Sequence, residues 1–484
     1  MRKITCLFLS WGCASFLLAD THYVVLNNPG AAADYTTWAT AAANIQDAVD
    51  AAAANDVVLV SNGVYNTGGR AEGDYTLTNR VLITKVLELR AVSTNPADTV
   101  IEGAADPDGI NGNGAAAVRA VRMAGYNAKI INFTIRNGHT QTNGNISLEQ
   151  SGGGIHAHWG IVSNCVITNC GARADGGGFT YGHIYNSIVA DNQADGVGSG
   201  TFGGGGAYNA SLYNSVFVNN RSLKSGGAIA IANIISNCAL AGNTATQSGG
   251  GFFTYSFGGF VVDSVLSNNT CGAYGGGAYN TRLLRCRFVG NKGGGIGGGA
   301  YGSRATNCVF YGNAANYGAG IGGNSSGIYP VYNCLFYSNT STNGGAVYCA
   351  YPLNCTIVGN VASNGASGLM GNGSVATNCI IYDNTTKGTV SNYSGEVQLS
   401  HCNIWPLPTG SVDLGGNISN APSFMDVSAG DYRLTANNLC INAGLTEGWM
   451  ADSVDLSEDK RVRYGVVDMG CYEHLYRGTI YTIH

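Results

Sequence analysis

Three sets of side chains in this sequence have types and spacings that could do chemistry. The first is acidic. Asp175, Asp191 and Asp195 fall on neighbouring units of a repetitive region, and two carboxyl groups brought to one face can protonate and attack a glycosidic bond. Beside glycine, the same residues also serve as turn carboxylates bonded to their own backbone. The second set is cationic. From Ser264 through Tyr382 there is no Asp or Glu, and Arg282, Arg285, Arg287, Lys292 and Arg304 are the only Lys or Arg. Guanidinium groups bind carboxylate and sulfate bidentately, so the cluster suits a uronic or sulfated polysaccharide. Arg287 could instead act as the base of an elimination, against its strong hold on its proton. Solvated charges that keep a rod soluble are the plainer reading. The third set is aromatic: Tyr208, Phe253, Tyr279, Tyr301 and Tyr348 each follow an inward apolar residue, so alternation turns them outward. A sugar's C–H face stacks on such rings, and neighbouring rings also stabilise stacked strands.

The elements that must position these groups follow from a period. Asn164-Cys165, Asn186-Ser187, Asn214-Ser215, Asn237-Cys238, Asp263-Ser264, Arg285-Cys286, Asn307-Cys308, Asn333-Cys334, Asn354-Cys355, Asn378-Cys379 and His401-Cys402 recur every 21 to 28 residues. Two positions after each Cys or Ser, as far as Cys379, stands a large apolar residue, such as Val189, Phe217, Phe288, Phe310 or Phe336. Both columns therefore share one strand face. Five positions after, Asn recurs from Asn192 to Asn384, and Asn tolerates the left-handed conformation of a sharp turn. Glycine corners such as Gly176-Gly177-Gly178 and Gly226-Gly227-Ala228 precede each unit. A repeat with short strands, turns and no run long enough for a helix predicts an all-β parallel solenoid of about eleven or more coils. The residues just after each Cys or Ser, including Val166, Ile188, Val216, Val265, Val309, Leu335 and Ile380, face outward and could form an apolar partner surface.

Composition agrees with a repeated architecture. Of 484 residues, 73 are glycine, 45% are hydrophobic and only 11% are charged. A net charge of -5 offers no general attraction to nucleic acid. Residues 1–19 carry a cationic start, an apolar stretch and a cleavage point at Ala19-Asp20, which predicts an exported protein, secreted or at the cell surface, and no later segment is apolar enough to span a membrane. Beyond Cys6 and Cys13 thirteen cysteines remain, an odd number, so at least one has no intrachain partner. Stacked coils lie within disulfide range, but Ser substitutes freely in the Cys column, which suits a small inward residue more than a metal ligand. His139, His156, His158 and His183 show no metal spacing, and the acidic C-terminal part lacks the pattern of a Ca²⁺ loop. No cofactor is expected, Ca²⁺ having no motif to hold it.

These residues resemble the right-handed parallel β-helix superfamily of pectate-lyase-like proteins. Residues 44–52 are similar to that family's capping helix, 56–65 to its first strand and turn, and 86–90 with 99–103 to its next coil. Phe217 to Asn220, Phe288 to Asn291, Phe310 to Asn313, Phe336 to Asn339 and Gly226-Gly227-Ala228-Ile229 resemble the FxxN and GGAI repeats of chlamydial polymorphic outer-membrane proteins. Cys440-Ile441-Asn442-Ala443-Gly444 and Asp468-Met469-Gly470-Cys471-Tyr472-Glu473 resemble the closing segment of bacterial surface proteins called choice-of-anchor Q, although only residues 474–484 follow it. The resemblance implies an N-terminal cap with first coils over 20–125, a repetitive β-helix over 126–405 and a C-terminal cap over 406–484, in which Cys440 and Cys471 could form a staple. It leaves three functions open. A carbohydrate-directed binding or adhesion protein is the expectation, since no gathered catalytic charges are visible. A polysaccharide lyase or glycosidase is the alternative, and a structural surface rod the third.

Overall fold

The computed structural model describes residues 19–475, apart from 199, 201, 256, 257, 325, 326, 328, 395 and 464. The predicted export signal, except Ala19, lies outside the described residues. The chain is a parallel β-solenoid of the right-handed type, with three long sheets of 24, 14 and 11 strands. One coil shows how it is made. Ala278–Tyr279 and Arg282–Leu284 lie in the first sheet, Arg287–Val289 in the second and Lys292–Gly293 in the third. Each strand pairs in parallel with its counterpart one coil on, as in Tyr279 with Tyr301, Arg282 with Arg304 and Phe288 with Phe310. The backbone bonds thus run along the rod, and each coil contacts its neighbours.

Three ladders fill and tie the interior. Phe288, Phe310 and Phe336 stack with ring centroids 4.8 and 4.7 Å apart, all fully buried. The recurring Asn residues form the second ladder, and here the sequence expectation needs correction. Asn291 does not turn the chain: it is buried, and its Oδ1 accepts from the backbone N–H and Nδ2 of Asn269 at 3.0 Å, while its own Nδ2 donates to the Leu266 carbonyl at 2.8 Å and to Asn313 Oδ1 at 3.0 Å. The same pattern links Asn192 through Asn384 and ends on Asn392. The left-handed turns fall one residue earlier, as at Asn219 and Asn268, and again just before each Cys or Ser, as at Asn186 and Asn307. The third ladder is the Cys and Ser column. Ser187 Oγ donates to the Tyr185 carbonyl and accepts from the N–H of Cys165 at 3.0 Å. Cys308 Sγ does the same with the Thr306 carbonyl and the N–H of Cys286 at 3.4 Å. A hydroxyl and a thiol fill one role there, which explains why they interchange.

Helix α1, Ile45–Ala51, is capped by Asn44, whose side chain accepts from the Asp47 N–H. It buries Ile45, Ala48 and Val49 against the first coils and so covers the N-terminal end of the core. At the other end, residues 413–418 bridge in parallel to Leu399 and Asn403 and make a last rung. The rest of the C-terminal segment does more than cap. It turns back along the outside of the second sheet, where Asn378, Asn333 and Asn307 donate to the carbonyls of Leu445, Val454 and Asp455, each at 2.9 Å. This strap divides the predicted outward apolar column: Ile380 is 1% exposed beneath it, whereas Ile188, beyond its reach, is 44% exposed. All thirteen described cysteines are free and buried, Cys440 and Cys471 among them, so the staple is not formed.

Candidate functional site

The outer face of the first sheet carries one continuous column of registered residues. It runs from Leu82 through Arg122, His156, Thr180, Tyr208, Ala230, Phe253, Tyr279, Tyr301 and Gly322 to Tyr348 and Met370. The five aromatic residues predicted to face outward all stand in it. Their rings lean on one another: Phe253 and Tyr279 are stacked at 4.9 Å, Tyr279 and Tyr301 at 5.2 Å. Those faces are occupied, which leaves edges and hydroxyls to meet a ligand. Burial, with help from Tyr279 and Tyr329, pushes the Tyr301 phenol up to about 12, so it remains a hydroxyl donor at neutral pH.

At its N-terminal end the column opens into a cleft of about 440 Å³ lined by Arg122, Ser147, His156, His158, Trp159, Tyr181 and Asn209, among others. The shape comes from a local break in the repeat. Ile155–Ser163 pairs with Phe179–Tyr185 in register at Ile155 and His156, then again from Gly160, so Ala157, His158 and Trp159 stand opposite the single residue Tyr181. Such a bulge re-aims side chains and bends the strand. Trp159 and Tyr181 have φ of 57° and 59°, in the left-handed region that bulky residues seldom occupy. At this corner other coils place Asn209, Asn280 or Gly302, which adopt the conformation readily, although Ile231 and Cys349 share it.

Buried charges hold the cleft. Arg122 Nε lies 2.5 Å from Glu72 Oε2, and its Nη1 is 3.0 Å from His156 Nδ1. A guanidinium only donates, so Nδ1 accepts and the imidazole proton sits on Nε2. Nε2 is buried without a hydrogen bond of normal geometry. Desolvation first, then the charges of Arg119 and Arg122, hold the His156 pKa well below the usual histidine value, so the ring is neutral. Arg119 donates to the carbonyls of Gly152, Leu148 and Ser151 and to Asn79 Oδ1, at 2.6 to 2.9 Å. Glu149 accepts from the N–H and hydroxyl of Thr76 and from the N–H of Asn145. Both charges pin the segment around 145–152 over His156. Burial raises the Tyr181 and Tyr208 pKa values, and the nearby Asp175 raises both further.

The other predicted residues lie apart. Asp175 is buried near the phenols of Tyr181 and Tyr208. Asp191 is exposed, in a left-handed turn. Asp195 is buried and bonded to Asn111 at 2.8 Å, to Gln193 at 3.0 Å and to Arg173 at 3.4 Å. The three carboxylates therefore do not meet on one face. Arg282 and Arg304 stack on the first sheet beside Phe260. Arg285 sits at a turn, 2.6 Å from Asp263, and Arg287 lies on the second sheet. Among the described residues no group of three His, Cys, Asp or Glu could hold a metal ion. His156, Trp159 and Tyr181 were not singled out for this role by pattern. One signal does mark them: ten positions separate Ile155 from Cys165, whereas eight separate Phe179 from Ser187 and Ala278 from Cys286. The surplus two residues are the bulge.

No family model matches this chain, and neither does any curated protein. Among solved structures, that of pectate lyase Pel9A is 12% identical over 94% of this chain and 98% of its own, with a TM-score of 0.30. The A-module of mannuronan C-5 epimerase AlgE4 from Azotobacter vinelandii is 15% identical over 80% of this chain and 100% of its own, again at 0.30. A rhamnogalacturonan lyase is 12% identical over 89% and 95%, at 0.27. Likeness at these scores says nothing of the chemistry of this chain, which rests on its own residues. No helix among the described residues is long and apolar enough to cross a membrane.

Proposed function

We propose that this is an exported β-helix protein that binds carbohydrate outside the cell or at its surface without turning it over, and that the glycan lies along the outer face of the first sheet. One observation carries the reading: the aromatic column and the cleft are a single registered line of residues, so a chain molecule lying on the rod meets both. The resemblance to repetitive outer-membrane and choice-of-anchor Q surface proteins supports the location. The separation of Asp175, Asp191 and Asp195 favours binding over glycoside hydrolysis, which needs two carboxyl groups flanking one bond.

The test is retention of residues 20–484 on immobilised neutral, uronic and sulfated polysaccharides, with and without Ca²⁺, while reducing ends and the ultraviolet absorbance of unsaturated products are followed. Retention without turnover, weakened in Tyr279→Ala, Tyr301→Ala and Arg304→Ala, is the expected result. Turnover overturns the non-catalytic reading in favour of a lyase or glycosidase. Neither retention nor turnover leaves a structural rod.

A further inference from the structure

We propose that the second sheet carries a docking site for another polypeptide, an extended and uncharged segment with aliphatic side chains, over the coils from Asn186 to Asp263. This face is separate from the aromatic column of the first sheet. The chain itself shows how polypeptide is held there, because at both ends of the same face it has laid a segment of its own along the rod. The anchors are the Asn residues in left-handed turns just before the Cys or Ser column, whose amide has two N–H groups to give. At the C-terminal end Asn333 Nδ2 donates to Asn307 Oδ1 of the coil before at 3.1 Å and to the Val454 carbonyl of the strap at 2.9 Å. At the N-terminal end Asn164 Nδ2 divides in the same way between Asn132 Oδ1 and the Thr94 carbonyl, both at 2.8 Å. Two positions after Asn333, the outward Leu335 is 2% exposed and packs in the apolar cluster beneath the strap.

Between these two covered stretches the same surface continues bare. Asn214 and Asn237 each donate to the Asn of the coil before, at 3.2 and 2.9 Å, and the second N–H of each has no partner among the described residues. Two positions after the turn residue, Ile188, Val216 and Val265 are 44%, 39% and 39% exposed. The strands Ile188–Ala190, Val216–Val218, Ala239–Ala241 and Val265–Ser267 carry no charge. The strap stops at the far edge, where Glu458 lies 3.7 Å from Arg285, which is itself 2.6 Å from Asp263. An interface that the chain has built twice therefore extends into coils where nothing of the chain fills it, and exposed apolar strips of this kind mark interaction sites. The free donors ask for carbonyl oxygens and the aliphatic column for aliphatic side chains, which an extended peptide supplies together. A sugar would find none of the aromatic faces on which it stacks, and a charged segment no counter-charge on the strands. From Asn186 to Asp263 the rod rises about 15 Å at about 4.8 Å per coil, the reach of about five extended residues.

Random octapeptides displayed on phage and selected on residues 20–484 supply the probe. Selection should enrich uncharged aliphatic sequences, and the matching synthetic peptides should slow amide exchange over residues 186–190 and 214–218. Ile188→Thr combined with Val216→Thr keeps a β-branched side chain in both strands, so the rod should still fold, while peptide affinity falls about tenfold with the lost apolar contact. Asn214→Ala should weaken binding about fivefold, the scale of one hydrogen bond. No enriched sequence, or peptides that bind the double variant as tightly as the native protein, would overturn the inference. Sedimentation showing self-association that the double variant abolishes would overturn it as well, by giving this face to a second copy of the chain.

Discussion

The coils around the cleft and those around the phenylalanine stack are built on the same three sheets, yet they spend their sequence differently. Near the cleft the first-sheet strands are long, nine residues in Ile155–Ser163 and seven in Phe179–Tyr185, and they carry a bulge, two strained aromatic residues and the buried Arg119, Arg122 and His156. Around Phe288 to Phe336 the first-sheet strands shorten to two or three residues, and the Phe, Cys and Asn positions of the interior repeat from coil to coil. Repetition gives rigidity, because each side chain serves the coil before and the coil after. Departures from repetition are where a partner other than the next coil can be met, and the regular coils on either side hold them in place.

The comparison predicts that damage differs in size and in reach. Phe310→Ala removes a ring stacked on both sides in a sealed core and should cost about 4 kcal/mol in urea unfolding, with destabilisation shared by neighbouring coils. Arg119→Met strips bonds from three carbonyls, two of them buried, and should cost about 3 kcal/mol. Hydrogen exchange would place that second loss near residues 145–152, where the cleft wall is pinned, and the Phe stack would stay protected. If Arg119→Met loosened the whole rod, the division between regular scaffold and singular site would fail.

Much of the scaffold was legible in the sequence. The Cys and Ser column and the apolar residue two positions on occupy the places that their period assigns, and a helix stands at Ile45–Ala51, within the 44–52 that the resemblance implies. The recurring Asn was visible but its role was not, because pairs such as Asn219-Asn220 and Asn268-Asn269 put a turn residue and a ladder residue side by side. Only the hydrogen bonds tell them apart. The aromatic residues do share one column, but Phe253 is buried in it against Phe202 and Tyr279 rather than exposed, because ring-to-ring packing along the rod depends on coil rise and rotamer, which a one-dimensional pattern does not carry. The cleft escaped because it is a deviation, and an alignment by repeat averages deviations away. The strap escaped because nothing periodic ties residues 445–455 to coils about a hundred positions earlier.

The strap extends the comparison to a region held by charge. Glu473 is buried beside Arg461, with Oε1 3.2 Å from Nε, among Asp455 and Asp468. Desolvation raises its pKa to about 8, with Asp468 adding and Arg461 opposing. Burial raises Asp455 and Asp468 as well. A carboxyl raised on folding contributes stability that is full below its unfolded pKa, near 4.5 for Glu473, and is lost as pH rises through the folded value. The strap should therefore loosen between about pH 5 and 8, by a few kcal/mol, the pull of Arg461 being already contained in the raised value. Amide exchange over residues 424–475 should speed up across that range, and Glu473→Gln should flatten the change. The Phe stack, sealed inside the rod, should keep its protection throughout.

The smallest effect belongs to the most conspicuous residues in the sequence. Cys286, Cys308, Cys334 and Cys355 stand on successive coils, and each Sγ from Cys308 onward accepts from the N–H of the coil before at 3.4 to 3.5 Å. In the cleft half of the rod Ser187 and Ser215 make the same pair of bonds at shorter distance, the N–H of Ser187 lying 3.1 Å from Ser215 Oγ. The column thus asks for a small group that both donates to the carbonyl two residues back and accepts from the preceding coil, and either atom meets that need. Cys308→Ser should cost less than about 1 kcal/mol, because the shorter hydroxyl loses some packing while keeping both bonds. Cys308→Ala should cost more, since the Cys286 N–H is left without an acceptor. The native thiols are sealed, and burial pushes those of Cys165 and Cys170 up to about 12. A thiol reagent should therefore label the folded protein slowly and all thirteen cysteines only on unfolding. Rapid labelling of the native rod, or a Ser variant as damaging as the Ala one, would mean that the thiols do something in the regular coils that their serine counterparts near the cleft do not.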